Sequence, residues 1–240
     1  MSPASDGAGG GMTAPARGWA GVGGTPTTLI LVRHGVTDHT RHKRFSGGLA
    51  SANPGLNEEG RGQVRTIGKW LEPIAPTVDA LITSPVRRTR ESAEILAGFL
   101  EKAVSEEPGL AEMEFGIWDG LTFGEVHEHH PDELAAWLGD LEHPAGGAES
   151  FRDVEKRVLA GRDRIVAAYA GCTVVVVSHV TPIKTLVADA LGAPLDAIHR
   201  MELAPASVTV ISYFEAQAQR PTANLRLYNA RPTDAPLQAF

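Results

Sequence analysis

Cysteine is nearly absent: the 240-residue chain holds one, Cys172. A single thiol cannot close an intramolecular disulfide, so the reducing cytoplasm is the expected compartment. No stretch reaches about 18 consecutive apolar residues, so no membrane-spanning helix is expected. The N-terminus lacks a basic region followed by an apolar run, so no secretory signal is expected either. Positive charge is not in excess. The formal net charge is −7 and the pI about 5.7, which argues against binding nucleic acid, since such binders are usually basic. That balance still leaves room for a small positive pocket on an acidic surface. No cysteine or acidic cluster offers a metal site. His127, His129 and His130 lie close together, but on a charged segment without a second ligand cluster, so neither metal nor cofactor is expected. No internal repeat is visible.

What the chain does have is apolar patterning. Hydrophobic residues make up 42% and charged residues 21%, enough for a packed core. The length suits one large domain or two small ones. Residues 1–26 are mostly Gly, Ala, Ser, Pro and Thr. Such a segment buries too little surface to offset its ordering entropy, and is expected as a flexible linker or tail. The folded domain is expected over 27–230, with 231–240 a loose C-terminal tail.

The stretch Leu29-Ile30-Leu31-Val32 reads as a buried strand. It stops at Arg33 and His34, which do not stay buried unpaired. Gly35 then permits a sharp turn or a close backbone approach. Ligands of open α/β sheets bind beyond the carboxyl ends of strands, so Arg33-His34-Gly35 marks a candidate site. Thr173 to Val177 repeats the pattern as a strand ending in Ser178-His179. Val180-Thr181-Pro182 then opens a helix whose backbone N–H groups suit an anion. Val78–Thr83 is a further strand, followed by Ser84 as N-cap and Pro85 at the first position of a helix to about Leu100. On that helix Val86, Ala93, Leu96, Ala97 and Leu100 form the buried stripe. Arg87 pairs with Glu91 and Arg90 with Glu94, which leaves Arg88 free for a ligand.

Asp38–Pro54 reads as a polar loop, and Asn57 caps a helix to about Leu71. A short strand is expected near Val104. Leu110–Thr122 reads as an irregular loop carrying Glu112 and Glu114. Polar helices follow through Val126 and Leu134–Leu138. Ser150 with Asp153 caps a helix to about Tyr169, Cys172 is expected as a small buried residue, and Ser207–Phe214 and Leu225–Asn229 are late strands. Strands alternating with helices predict an α/β domain.

Arg33-His34, Arg88 and His179 thus converge on one end of a sheet. Two arginines offer permanent charge and planar donor forks for phosphate oxygens, and two histidines titrate near neutrality. A phosphoryl group held by the arginines can be attacked by a histidine nitrogen. The leaving alcohol then needs a proton, with Glu112 or Glu114 the nearest acid.

The set Arg33-His34-Gly35-x-Thr37, Arg44-Phe45-Ser46-Gly47, Ser84-Pro85-x-Arg87-Arg88, Leu110-x-Glu112-x-x-Phe115-Gly116-x-Trp118-x-Gly120 and Ser178-His179 resembles the histidine phosphatase, or phosphoglycerate mutase-like, family from about Thr27 to Asn229. The resemblance implies a three-layer α/β/α sandwich around a mostly parallel mixed sheet. It also implies a metal-independent phosphomonoesterase acting on a small phosphorylated substrate. His34 would be the nucleophile that forms phosphohistidine. Arg33 and Arg88 would clamp the phosphoryl oxygens, and His179 would donate to them. Glu112 would be the general acid, then the base, and Glu114 a solvated bystander. Ser46 and the Gly47 amide would stand at the pocket rim with Thr40. Two positions depart from the family pattern: Val180 stands where Gly is usual after the second His, and Thr40 where Asn is common. Glu112 must start protonated, so a rate optimum below neutrality is expected.

The runs Phe115–Phe123 and Val176–Leu186 are similar to the phosphatase domain of actinobacterial bifunctional ribonuclease H/acid phosphatase proteins, itself similar to alpha-ribazole phosphatases. The 1–26 segment would suit a linker to an N-terminal ribonuclease H domain; the nuclease's acidic metal site is not recognisable here. A mutase-type isomerase and a non-catalytic phospho-ligand binding domain are the competing readings.

Overall fold

The computed structural model describes residues 25–50, 52–214 and 222–232. Nearly all of the expected N-terminal linker, and residues 233–240 of the expected C-terminal tail, lie outside them. Strands β1 (Thr27–Arg33), β2 (Ala80–Thr83), β3 (Val104–Glu106), β4 (Thr173–Ser178), β5 (Val208–Phe214) and β6 (Thr222–Ala230) form one sheet in the order β3-β2-β4-β1-β5-β6. β3, β2, β4 and β1 pair in parallel, while β5 runs antiparallel to β1 and β6 antiparallel to β5. The sheet is mixed and mostly parallel, as the resemblance implies.

Apolar side chains alternate between the two faces of the central strands, because successive Cβ atoms point to opposite sides. Ile30, Val32, Leu81, Val175 and Val177 face a core shared with helices α2 (Glu58–Leu71) and α3 (Arg87–Leu100). Leu29, Leu31, Ile82, Val174 and Val176 face the other core, which includes α4 (Phe123–His129), α5 (Pro131–Gly139), α6 (Phe151–Ala168) and α7 (Val180–Ala190). Burying both faces explains why β4 is a continuous valine run. Each buried valine contributes roughly 1.5–3 kcal/mol of transfer free energy.

Local chemistry fixes most helix starts. Asn57 Oδ1 accepts the Gly60 amide at 2.9 Å ahead of α2. Ser150 and Asp153 form a reciprocal capping box on α6, and Thr122 with Glu125 does so on α4. Gly35 does make a close approach, and its target is the first turn of α2. A Cβ at Gly35 would lie 2.4 Å from the Gly60 carbonyl oxygen, and one at Gly60 would lie 2.1 Å from that of Val36.

The structure corrects several expectations. The segment 38–54 contains a short helix, α1 (Asp38–Arg41), capped by Thr37. Helix α3 begins at Arg87 with Val86 as N-cap and no side-chain cap bond. Ser84 instead reaches across to a neighbouring strand end. Arg87 pairs with Glu91 as expected, but Arg90 pairs with Glu106 rather than Glu94, because β3 runs alongside. Two 3-10 turns, Pro108–Leu110 and Gly116–Trp118, lie within or beside the irregular Leu110–Thr122 run. β6 begins at Thr222, three residues before the expected Leu225. Cys172 is half-exposed, not buried, since it precedes the first paired residue of β4.

Candidate active site

Sheet register assembles the site. Arg33 on β1 stands opposite Ser178 on β4, so the residues after them, His34 and His179, emerge side by side. The His34 amide donates to the Ser178 carbonyl at 3.1 Å, and the two ring centroids lie 5.2 Å apart. On the other flank of β4, the Ser84 amide donates to the Val177 carbonyl at 3.0 Å, which places Ser84 beside the same strand end. The first turn of α3 brings in Arg88. The loop after Pro108–Leu110 brings in Glu112, and the buried Ser178 hydroxyl ties that loop to the sheet through the Leu110 carbonyl at 2.8 Å.

His34 is 3% exposed. Its Nδ1 lies 2.7 Å from the Gly35 carbonyl oxygen and its Nε2 accepts a 3.2 Å bond from Arg88 Nε. A carbonyl can only accept, so the ring proton sits on Nδ1 and Nε2 keeps its lone pair. Burial, then the positive charges of Arg88 and Arg33, hold the ring well below its usual pKa, against the Gly35 bond. A neutral imidazole with an unprotonated Nε2 has the lone pair that nucleophilic attack requires. His179 is fully buried. Its Nε2 lies 2.8 Å from Ser84 Oγ, and Nδ1 has no partner among the described residues. Burial, then Arg88, His34, Arg157 and Arg33, also push its pKa well below the usual value.

Arg88 is 1% exposed. Besides His34, it donates through Nη2 to the carbonyls of Ser46 and Gly47, at 3.0 and 3.1 Å. Arg33 donates through Nη1 to the Leu203 carbonyl. Desolvation lowers each arginine to about 10, opposed in both by Glu112, so both remain charged at neutrality. Glu112 is buried, with Oε1 accepting from the Met113 amide at 2.9 Å. Its loop is fixed by Arg157 on α6. That guanidinium donates to the carbonyls of Gly109, Ala111 and Glu112, and forms a two-pronged pair with Glu149 at 2.6 and 2.8 Å. Glu149 in turn accepts the Glu114 amide at 3.0 Å.

The structure therefore brings His34, His179, Arg33, Arg88 and Glu112 to one place. Ser46 Oγ is buried without a partner among the described residues, and Gly47 gives its amide to Asp119 Oδ1 at 2.8 Å. Thr40 differs: its amide and hydroxyl bond to Thr37 within the α1 cap, at 3.1 and 3.0 Å. Glu114 is not a solvated bystander. It accepts the amides of Gly48 and Ala50 at 3.2 and 3.1 Å, while Asp119 adds the Ala52 amide at 3.0 Å. Two carboxylates thus strap down the rim loop whose carbonyls hold Arg88. Sequence reasoning missed Ser84, Glu114 and Asp119 in these roles. The alternation of Glu114 with Met113 and Phe115 was a usable signal for one inward carboxylate, but it does not name the loop that the carboxylate holds. His130 Nδ1 lies 3.8 Å from Glu133, and no group of three or more His, Cys, Asp or Glu among the described residues is placed to hold a metal ion. No helix among those residues is long and apolar enough to cross a membrane.

Four buried polar atoms here lack a partner among the described residues: Arg33 Nε, Arg88 Nη1, His179 Nδ1 and Ser46 Oγ. Leaving one such group unsatisfied costs about 1–3 kcal/mol. Two are fixed guanidinium donors, and a tetrahedral oxyanion can accept from them and from the others.

Residues 29–225 match the model of the histidine phosphatase superfamily (branch 1). A bifunctional protein of Mycobacterium tuberculosis is 42% identical over 197 residues, covering 82% of this chain and 53% of that protein. The chain thus spans about half the length of the first curated relatives it matches. Phosphoserine phosphatase 1 of Hydrogenobacter thermophilus is 30% identical over 184 residues, covering 76% of this chain and 85% of that protein. Among solved structures, a mycobacterial glucosyl-3-phosphoglycerate phosphatase superposes with a TM-score of 0.75 at 26% identity, over 85% of this chain and 99% of that one.

Proposed function

The chain belongs to the histidine phosphatase superfamily (branch 1), and from that premise we propose that it is a metal-independent phosphomonoester hydrolase working through phosphohistidine. The observation that carries this reading is the unprotonated Nε2 of buried, neutral His34, set beside two guanidinium donors, Arg33 Nε and Arg88 Nη1, that have no acceptor among the described residues.

Arg33 and Arg88 bind the phosphoryl oxygens. His34 Nε2 attacks phosphorus in line as the bond to the leaving oxygen breaks. Glu112 gives that oxygen a proton, and the alcohol departs. A water then gives its proton to Glu112 and attacks phosphohistidine, which frees His34 and releases inorganic phosphate. Arg33, Arg88 and His179 hold the equatorial oxygens through both steps. Ser46 and Gly47 border the pocket, and Thr40 shapes its outer wall through α1.

The substrates named for relatives, phosphoserine and glucosyl-3-phosphoglycerate, are phosphomonoesters, as is alpha-ribazole phosphate, which we include among the candidate substrates. Catalysis on the acid side of neutrality follows from the need for protonated Glu112. We place the domain in the cytoplasm. We also propose that in the natural protein it follows a ribonuclease H domain, in keeping with the greater length of the 42%-identical relatives.

The test is hydrolysis of an aryl phosphate in excess chelator by wild type and His34→Ala. Wild type should turn over, and the variant should lose about a thousandfold or more in kcat. Equal activity in both would place the site elsewhere. Abolition of wild-type turnover by chelator would overturn the metal-independent mechanism.

A further inference from the structure

Ser84 has no part in the reaction just described, yet it is fully buried against one of its principal residues. Its Oγ lies 2.8 Å from His179 Nε2 and accepts a long 3.4 Å bond from the Val86 amide. An amide can only donate, so among these contacts the hydroxyl proton has one destination, His179 Nε2. A neutral imidazole carries one ring proton. If Nε2 accepts, that proton is on Nδ1, the buried ring atom without a partner among the described residues.

The helix that follows supports the same assignment. His179 is the N-cap of α7 but makes no side-chain cap bond. A cap side chain normally accepts from the second or third helical amide. The third residue here is Pro182, which has no N–H. The helix therefore gives an Nδ1 lone pair nothing to accept from at that position. An Nδ1–H donor, in contrast, suits an anion at the helix N-terminus.

We propose that Ser84 is a positioning residue that fixes His179 in its Nδ1–H tautomer, so that a proton rather than a lone pair faces the transferred phosphoryl group. This rests on reading the site as a phosphoryl pocket. Without the Ser84 hydroxyl the neutral ring is free to carry its proton on Nε2. The Nδ1 lone pair then opposes the phosphoryl oxygens. Only the imidazolium has N–H groups on both sides, so with a phosphoryl anion bound beside the ring to favour its protonated form, acid restores the donor. The groups that oppose this protonation are Arg88 on α3, His34 and Arg33 on and after β1, and Arg157 on α6.

The experiment compares wild type, Ser84→Ala and Ser84→Thr by aryl phosphate kinetics from about pH 5 to 8, together with 15N NMR of the histidine rings. The NMR should show wild-type His179 protonated on Nδ1 and bare on Nε2, and should show mixed tautomers in Ser84→Ala. Ser84→Ala should lose about 10- to 100-fold in kcat at pH 7, with KM changed far less. Its deficit relative to wild type should shrink as pH falls. Ser84→Thr keeps the hydroxyl and should stay within about threefold of wild type. A wild-type His179 protonated on Nε2 overturns the proposal, as does a Ser84→Ala deficit that is constant with pH and shared by Ser84→Thr. If Ser84→Ala fails to fold, the wild-type tautomer alone decides. Absence of wild-type turnover with an Nδ1–H ring would sink the phosphatase reading and leave the Ser84 assignment standing.

Discussion

Glu112 interacts electrostatically with both buried arginines, and its proposed roles can be separated by the leaving group. An alkyl phosphomonoester needs protonation as its bond breaks, while a nitrophenyl phosphate does not. Glu112→Gln should therefore lose about 10²–10⁴-fold in kcat/KM on the alkyl ester. On the nitrophenyl ester the first step should survive and the water attack should stall. Rapid-quench kinetics should show a burst of nitrophenol close to one per site, then slow turnover. Equal losses on both esters, with no burst, would remove Glu112 from the acid role. Residues like these were legible in sequence because each breaks a local rule. His34 and His179 end apolar strands, and Arg88 is the arginine of its helix's first turn with Ser92 rather than a carboxylate four residues on. Ser84 obeyed a local rule too well: Ser-Pro before a helix reads as a cap, while its actual partner His179 lies 95 residues away. Asp119 was equally invisible, because it serves amides 67 and 72 residues distant.

At the level of elements, the position of His34 depends on how closely the turn after β1 rests on α2. Gly60→Ala puts a Cβ about 2.1 Å from the Val36 carbonyl oxygen, a backbone atom that can yield only if the turn moves. Overpacking of this kind costs typically 1–3 kcal/mol or more, and here the displaced turn carries the proposed nucleophile. Gly62, two residues on in the same helix, has nothing within 4 Å of an added Cβ. Gly62→Ala should stabilise by about 0.5–1 kcal/mol, as a glycine removed from a helix interior does. Urea unfolding and kcat for the two variants should diverge in both readouts. If Gly60→Ala keeps wild-type stability and activity, the close contact is not what holds the turn. The existence and order of these elements were readable from apolar runs and capping residues. Two glycines 25 positions apart carry no sequence signal that they touch. Nor does helix periodicity show that Arg90 will find Glu106 on an edge strand in place of Glu94.

For the whole molecule, the parallel register that aligns Arg33 with Ser178 commits the fold to burying two histidines among cations, and this has a consequence for stability. Both rings titrate well below their usual value in the folded protein, whereas in the unfolded chain they titrate near 6.5. Between those limits the unfolded state binds more protons than the native state. Stability therefore rises with pH in this window and is lost as pH falls below about 6.5. The slope is about 1.4 kcal/mol per pH unit for each ring. The carboxylates held below their usual pKa, Glu91, Glu107 and Asp153 among them, act in the same direction only below about 4.5, so the range from pH 5 to 6.5 isolates the histidines. The melting temperature should fall across that range. His199, which burial also lowers, adds to the slope, so His34→Gln should reduce it by about a third to a half. Inorganic phosphate at 100 times its Kd should add about 2.7 kcal/mol. It should also flatten the acid slope, because an anion beside the rings favours their protonated forms. Acid thus weakens the protein most when its pocket is empty, and substrate-bound protein should outlast free protein at pH 5. A melting temperature that is flat from pH 7 to 5 and indifferent to phosphate would mean that the rings are not held neutral by burial and the surrounding cations.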